Sequence, residues 1–168
     1  MKTIVINDNN LSNDDIHKFG NKVRAILLEN DKILVSHYGG VILLPGGSID
    51  EGETQDEAII RELKEEIGID YDIKDLVQVL CLKYYQSNYY TRNNEIINRL
   101  ITTQYYLGQY NGIKINKTRR TDKEIKDNFH LQLMKIDDLL KTIDETCYNP
   151  RKKFFDREVQ EVVKVLKR

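Results

Sequence analysis

The sequence predicts a single mixed α/β domain of the α+β type, and three observations carry that expectation. Short runs of β-branched, aliphatic and aromatic residues recur between polar turns, which is the pattern of strands. The stretch from Thr54 to Ile67 contains neither Gly nor Pro and its composition favours helix. From Phe154 to Leu166, charged and apolar residues alternate at helical spacing, so a helix is expected near the carboxyl end.

The chain has 168 residues, enough for one domain of the usual roughly 100–200. With 26 Lys+Arg against 27 Asp+Glu the net charge is −1, which argues against a dedicated nucleic-acid binder while leaving local basic patches open. No run approaches the ~18 apolar residues of a membrane span. Thr3-Ile4-Val5-Ile6 is followed at once by Asn7 and Asp8, too early a polar break for a secretory signal. Cys81 and Cys147 have neither metal-ligand spacing nor a disulfide framework. The expectation is a cytoplasmic protein with no membrane partner.

The elements follow in order. Residues 1–20 are read as an N-terminal strand or extension. Val23 to Leu28, the turn Glu29-Asn30-Asp31 and Ile33-Leu34-Val35 read as a β-hairpin. Val41 to Leu44 is a third strand, stopped by Pro45-Gly46-Gly47, a strong breaker. The helix from Thr54 ends at Gly68, a natural C-terminal stop. Leu76 to Tyr85 and Leu100 to Tyr110 read as strands, Lys114 to Asp127 as a loop or irregular turn, and Leu131 to Ile136 as a strand. Ile136-Asp137-Asp138-Leu139-Leu140 opens a further helix, and residues 150–168 hold the last one.

Chemistry concentrates between Gly47 and Ile69. Glu62, Glu65 and Glu66 are related by i,i+3 and i,i+4, which places them within about 100° of one helix face. Ile59, Ile60, Leu63 and Ile67 occupy an adjoining arc that can pack on a sheet. Like charges at this spacing cost about 0.2–0.5 kcal/mol per pair. A hard divalent cation relieves that cost, because carboxylate oxygens suit Mg²⁺. The competing reading is a solvated acidic face balanced by Arg61 and Lys64. Gly46 and Gly47, before the helix, let backbone approach an anion or turn a carbonyl toward a metal.

Five residues separate Gly47 from Glu53, and seven more lead to Arg61-Glu62-Leu63-Lys64-Glu65-Glu66-Ile67-Gly68-Ile69. This resembles the Nudix box, G-x5-E-x7-R-E-U-x-E-E-x-G-U with U a bulky aliphatic, at all nine defined positions of a 23-residue window. The resemblance, to the MutT-like Nudix hydrolases, extends more weakly from about Asn21 onward. It implies a mixed β-sheet sandwiched between α-helices, one domain over residues 1–168. It also implies Mg²⁺- or Mn²⁺-dependent cleavage of a diphosphate in a nucleoside diphosphate linked to another group. Glu62, Glu65 and Glu66 are then the metal ligands, with the Gly46 carbonyl as a further one. Gly47, Glu53 and Arg61 are structural support, Glu53 and Arg61 as an ion pair. The base is a box glutamate or an acid from a later loop, for which Glu124 is the candidate, an exposed loop glutamate being the alternative.

Weaker signals surround the box. Seven of the ten tyrosines fall between Tyr84 and Tyr110. Such residues pack sheets more often than they stack on bases, yet Tyr84 and Tyr85 lie near the distance at which some dinucleoside-polyphosphate members carry a tyrosine. Arg24 projects from a strand and suits either a phosphate clamp or an interior salt bridge. Lys114, Lys117, Arg119, Arg120 and Lys123 read as a solvated loop, with contact to polyphosphate or an RNA 5′ end as the sharper alternative. His17, His37 and His130 are isolated in sequence and show no metal spacing. Ile42 stands where many members place an aromatic residue.

The expected activity is phosphoanhydride hydrolysis on a nucleotide-like diphosphate. Dinucleoside polyphosphates, nucleotide sugars, ADP-ribose and damaged nucleoside triphosphates stay open, and capped RNA is less favoured. A homodimer agrees with the resemblance. The alternative is a non-catalytic Nudix-fold domain that binds nucleotide and regulates. An isoprenoid diphosphate isomerase shares the fold, but its cysteine-centred motif and greater length are missing here.

Overall fold

Two residue patterns along one strand organise the fold. In the computed structural model, which describes residues 1–112, 129–143 and 149–168, residues Lys18–Glu29 form the long strand β2. Its odd-numbered Val23, Ala25 and Leu27 turn to one side of the sheet, where they meet Ala58, Ile59, Leu63 and Ile67 of helix α1 (Gln55–Ile67). On the other side Ile26 joins a core with Leu139 of α2 (Ile136–Ile143) and Val159, Val162 and Val163 of α3 (Lys152–Leu166). Fully burying one such aliphatic side chain contributes about 1.5–3 kcal/mol. The result is a mixed sheet between helices, an α+β arrangement.

The remaining strands are β1 (Lys2–Ile6), β3 (Lys32–Tyr38), β4 (Val41–Leu43), β5 (Gly46–Ser48), β6 (Val77–Tyr90), β7 (Ile96–Gln109) and β8 (His130–Lys135). Their order is β1-β6-β7-β2-β3-β4, with β5 paired to β2 and β8 to β3. β1 runs parallel to β6 and β2 parallel to β7, while the other pairs are antiparallel. Strand β2 pairs with β3 only at Leu28↔Ile33 and Glu29↔Lys32. Farther back it pairs with β5 instead, at Lys22↔Ser48, Val23↔Gly47 and Arg24↔Gly46. The sheet therefore parts between β2 and β3, and a cleft opens there.

Three expectations need correcting. The breaker Pro45-Gly46-Gly47 ends β4, but its glycines form β5. Gly46 has φ of +140°, and a Cβ there would overlap the Val23 carbonyl, so only glycine fits this pairing. The strands read as Leu76–Tyr85 and Leu100–Tyr110 extend to meet in a hairpin over Thr91–Glu95, where the Thr91 amide donates to the Glu95 carbonyl at 2.9 Å. Polar Gln86-Ser87-Asn88 hides this continuation, because Gln86 is buried by accepting from Arg99 Nε at 2.6 Å and a bulge absorbs the register shift between Gln86 and Tyr89. Finally, His37 and His130 are isolated only in sequence. They are cross-strand partners whose rings stack at 4.3 Å.

The loop reading of Lys114–Asp127, the basic run within it, Glu124 and Cys147 lie outside the described residues. Among the described residues, no helix is long and apolar enough to cross a membrane.

Candidate active site

Local capping fixes both ends of α1. Thr54 is the N-cap: its hydroxyl accepts from the Glu57 amide at 3.2 Å, and the Glu57 carboxylate accepts from the Thr54 amide at 2.8 Å. Such a reciprocal cap is worth about 0.5–2 kcal/mol. At the far end Gly68 takes the left-handed conformation, φ +78°, and its amide bonds the Lys64 carbonyl. The carboxylates between these caps cannot slide along the sheet, because Ile59 and Leu63 are fully buried beneath them.

Glycines then bring the turn onto the carboxylates. Buried Glu66 accepts a hydrogen bond from the Gly46 amide at 3.0 Å. The Glu62 carboxylate fills the space a Gly47 side chain would need. Arg61 joins these parts. Its Nε and Nη2 grip both oxygens of Glu53 at 2.7 and 2.9 Å, and Nη2 also donates to the Ser48 carbonyl at 3.0 Å. Its Nη1 lies 2.9 Å from Glu62 and 3.4 Å from Glu65. The Arg61 hydrogen bonds hold Glu53 below the ordinary carboxylate range, and Glu53 in turn raises Arg61. Glu62 moves the other way: burial raises it, more than Arg61 lowers it.

The resemblance of the box implies a divalent metal ion, and the donor set suits one in kind. Glu62, Glu65 and Glu66 supply hard oxygen ligands from one helix face, beside a glycine turn whose Gly46 amide already meets Glu66. As placed, Arg61 stands between Glu62 and Glu65, and among the described residues no three such side chains converge on a point. The fit is therefore one of donor chemistry, reached by turning glutamate side chains that already share a face.

Arg24 lies directly beneath the turn. Its Nη1 donates to the Leu44 carbonyl at 2.6 Å, and its Nε stands 3.5 Å from the Glu158 carboxylate of α3, without a hydrogen bond of its own. Glu158 also accepts from the Tyr105 hydroxyl. Arg24 thus sits in an interior ion pair and also borders the cleft. The two tyrosines singled out as base contacts lie elsewhere. Tyr84 is buried edge-on against Phe154, and Tyr85 donates to Asn13 at 3.3 Å; neither lines the cleft. Sequence reasoning missed Glu158, which nothing local distinguishes. It also missed Lys18 and Lys22, although alternation along Lys18-x-Gly20-x-Lys22-x-Arg24 puts them on one strand face with Arg24.

The chain is similar to known proteins over parts of its length. Over 37 residues the chain is 54% identical to an 8-oxo-dGTP diphosphatase of Proteus vulgaris, covering 22% of this chain and 33% of that protein. Over 62 residues it is 39% identical to an ADP-ribose pyrophosphatase of Methanocaldococcus jannaschii, covering 34% and 37% respectively. The chain thus spans about a third of the length of these curated relatives. A mutator MutT protein from Bacillus halodurans shares the fold with a TM-score of 0.54 at 17% identity, over 83% of this chain and 82% of that one. Residues 18–156 match the NUDIX domain, and the chain belongs to that family.

Proposed function

We propose that the chain is a Nudix pyrophosphohydrolase, cleaving a phosphoanhydride in a nucleoside diphosphate linked to another moiety. The observation that carries this reading is the meeting of Glu66 and Glu62 with the Gly46–Gly47 turn, with Arg61 joining Glu53, Glu62 and Glu65 beside it. Glu62, Glu65, Glu66 and the Gly46 carbonyl are the ligands for Mg²⁺ or Mn²⁺. When bound, the cation neutralises diphosphate charge and makes water more acidic. A carboxylate, a box glutamate or Glu124, takes the proton as water attacks phosphorus; the new P–O bond forms and the anhydride P–O bond breaks. Arg61 and Glu53 keep the turn seated on the helix and touch no reacting atom.

A panel of diphosphate compounds incubated with Mg²⁺, products identified by mass, tests this. Cleavage at an anhydride is expected, and heavy-oxygen water then shows which phosphorus is attacked. Nucleotide binding without any product over hours contradicts it and favours a non-catalytic nucleotide-binding domain.

A further inference from the structure

Strand β8 pairs with β3 from Lys32↔Lys135 to His37↔His130, where the pairing ends. Alternation puts His37 on the face of Ile33 and Val35, which are buried in the core with α2 and α3. His37 continues that face past the rim of the core, where it is half-buried and His130 is exposed. The register that sets Met134 against Ile33 and Gln132 against Val35 therefore leaves two imidazoles directly opposite each other. On its other side His37 pairs with Ile42 of β4, which offers no ligand atom.

The two rings lie face to face, 4.3 Å between centres and 4° between planes. His37 Nε2 stands 2.8 Å from the Gln132 side-chain oxygen. An amide oxygen only accepts, so the hydrogen is on Nε2 and the lone pair on Nδ1. Metal-binding histidines share this arrangement: one nitrogen donates to an oxygen, which orients the ring, and the other holds the ion. Two nitrogens bound to one zinc stand about 3.4 Å apart, from bonds of about 2.05 Å at the tetrahedral angle. The stacked rings need to lean together at one edge by only about 1 Å to reach that spacing.

Nitrogen ligands select a different ion from the carboxylates of α1. Imidazole suits Zn²⁺, Ni²⁺ and Cu²⁺, whereas carboxylate and carbonyl oxygens suit Mg²⁺ and Mn²⁺. We propose that His37 and His130 bind a divalent transition ion of the zinc type, with water completing its coordination and Gln132 orienting His37. The ion ties the end of β8 to β3. On the opposite face of the same strands Tyr38 meets Phe129 edge-on, ring centres 6.5 Å apart, and Tyr38 and Gly39 line the cleft. A bound ion thus fixes strand ends that carry one wall of the cleft. This site is independent of the hydrolase reading.

Calorimetric titration of the full chain with Zn²⁺, in excess Mg²⁺ to saturate the hard oxygen ligands, tests this. One zinc per chain is expected, with micromolar affinity. His37→Asn and His130→Asn should each weaken it at least about tenfold, and Gln132→Leu should weaken it about tenfold. His17→Asn should not, because that exposed histidine lies on the far side of the cleft and accepts from the Asn98 amide instead. Zinc should raise the melting temperature of wild type and leave that of the two variants at His37 and His130 unchanged. Imidazole nitrogen NMR gives a check without substitution: zinc should shift the signals of two histidines and spare His17. Absence of zinc binding in excess Mg²⁺, or affinity unchanged in both His37→Asn and His130→Asn, overturns the proposal. Zinc binding abolished by Glu65→Gln also overturns it, by placing the ion on α1.

Discussion

The carboxylate of Glu62 occupies the place that a side chain on Gly47 would take. The glycine is thus required by the glutamate across from it, since the backbone there has no positive φ to demand one. Gly47→Ala should push the flexible end of Glu62 aside while costing little stability. Turnover should fall at least about tenfold, with thermal melting nearly unchanged. Full turnover in Gly47→Ala would show that the position of Glu62 does not matter.

Arg61 ties Glu53, Ser48, Glu62 and Glu65 to one guanidinium. Arg61→Gln should lower unfolding free energy by about 1–2 kcal/mol, the scale of a part-buried charge-assisted pair. Arg61→Lys should recover little, because an ammonium cannot match the two-point grip on Glu53. Urea denaturation of the three proteins checks the order.

Glu158 compensates buried Arg24, which holds the carbonyl of Leu44 one residue before Pro45. Glu158→Ala leaves that charge unpaired and should destabilise by about 3–5 kcal/mol. Glu158→Gln, which keeps an acceptor, should cost less. Equal urea midpoints for wild type and Glu158→Ala would mean that Arg24 is solvated.

Lys22 sets a pH dependence. Its folded value, about 8, lies below the ordinary 10.5, so the unfolded chain binds more protons between them. The penalty on the folded state is complete below about 8, and stability from this group rises with pH through the window from 8 to 10.5. Burial lowers it most; Arg24, Arg99 and Arg92 also oppose the proton, and Glu158 favours it. The urea midpoint of wild type should rise relative to that of Lys22→Met as pH goes from 8 to 10.5. A constant difference would mean that Lys22 keeps its ordinary value.

Much of this was legible before any coordinates, for a physical reason. The box helix is specified locally: Thr54 and Glu57 cap it, Gly68 ends it, and the spacing of Glu62, Glu65 and Glu66 settles their common face. The hairpin of β2 and β3 is equally local. What escaped depends on partners distant in sequence. Arg24 reads as a strand residue, and its ion-pair partner Glu158 comes from the last helix, far away in sequence. His37 meets His130 only through β3–β8 pairing. Gln86 looks like a strand end until Arg99 satisfies it. The cleft belongs to no segment, since it arises where β2 exchanges β3 for β5.

The most direct test is the turnover number of Glu65→Gln and of Glu66→Gln against wild type, in saturating Mg²⁺, on whichever diphosphate compound the native chain cleaves. Replacing an ionised oxygen by an amide of nearly the same shape should lower kcat by about 10²-fold or more in each, with melting temperatures close to wild type. Folded variants that turn over at the native rate would contradict the assignment of chemistry to this helix face.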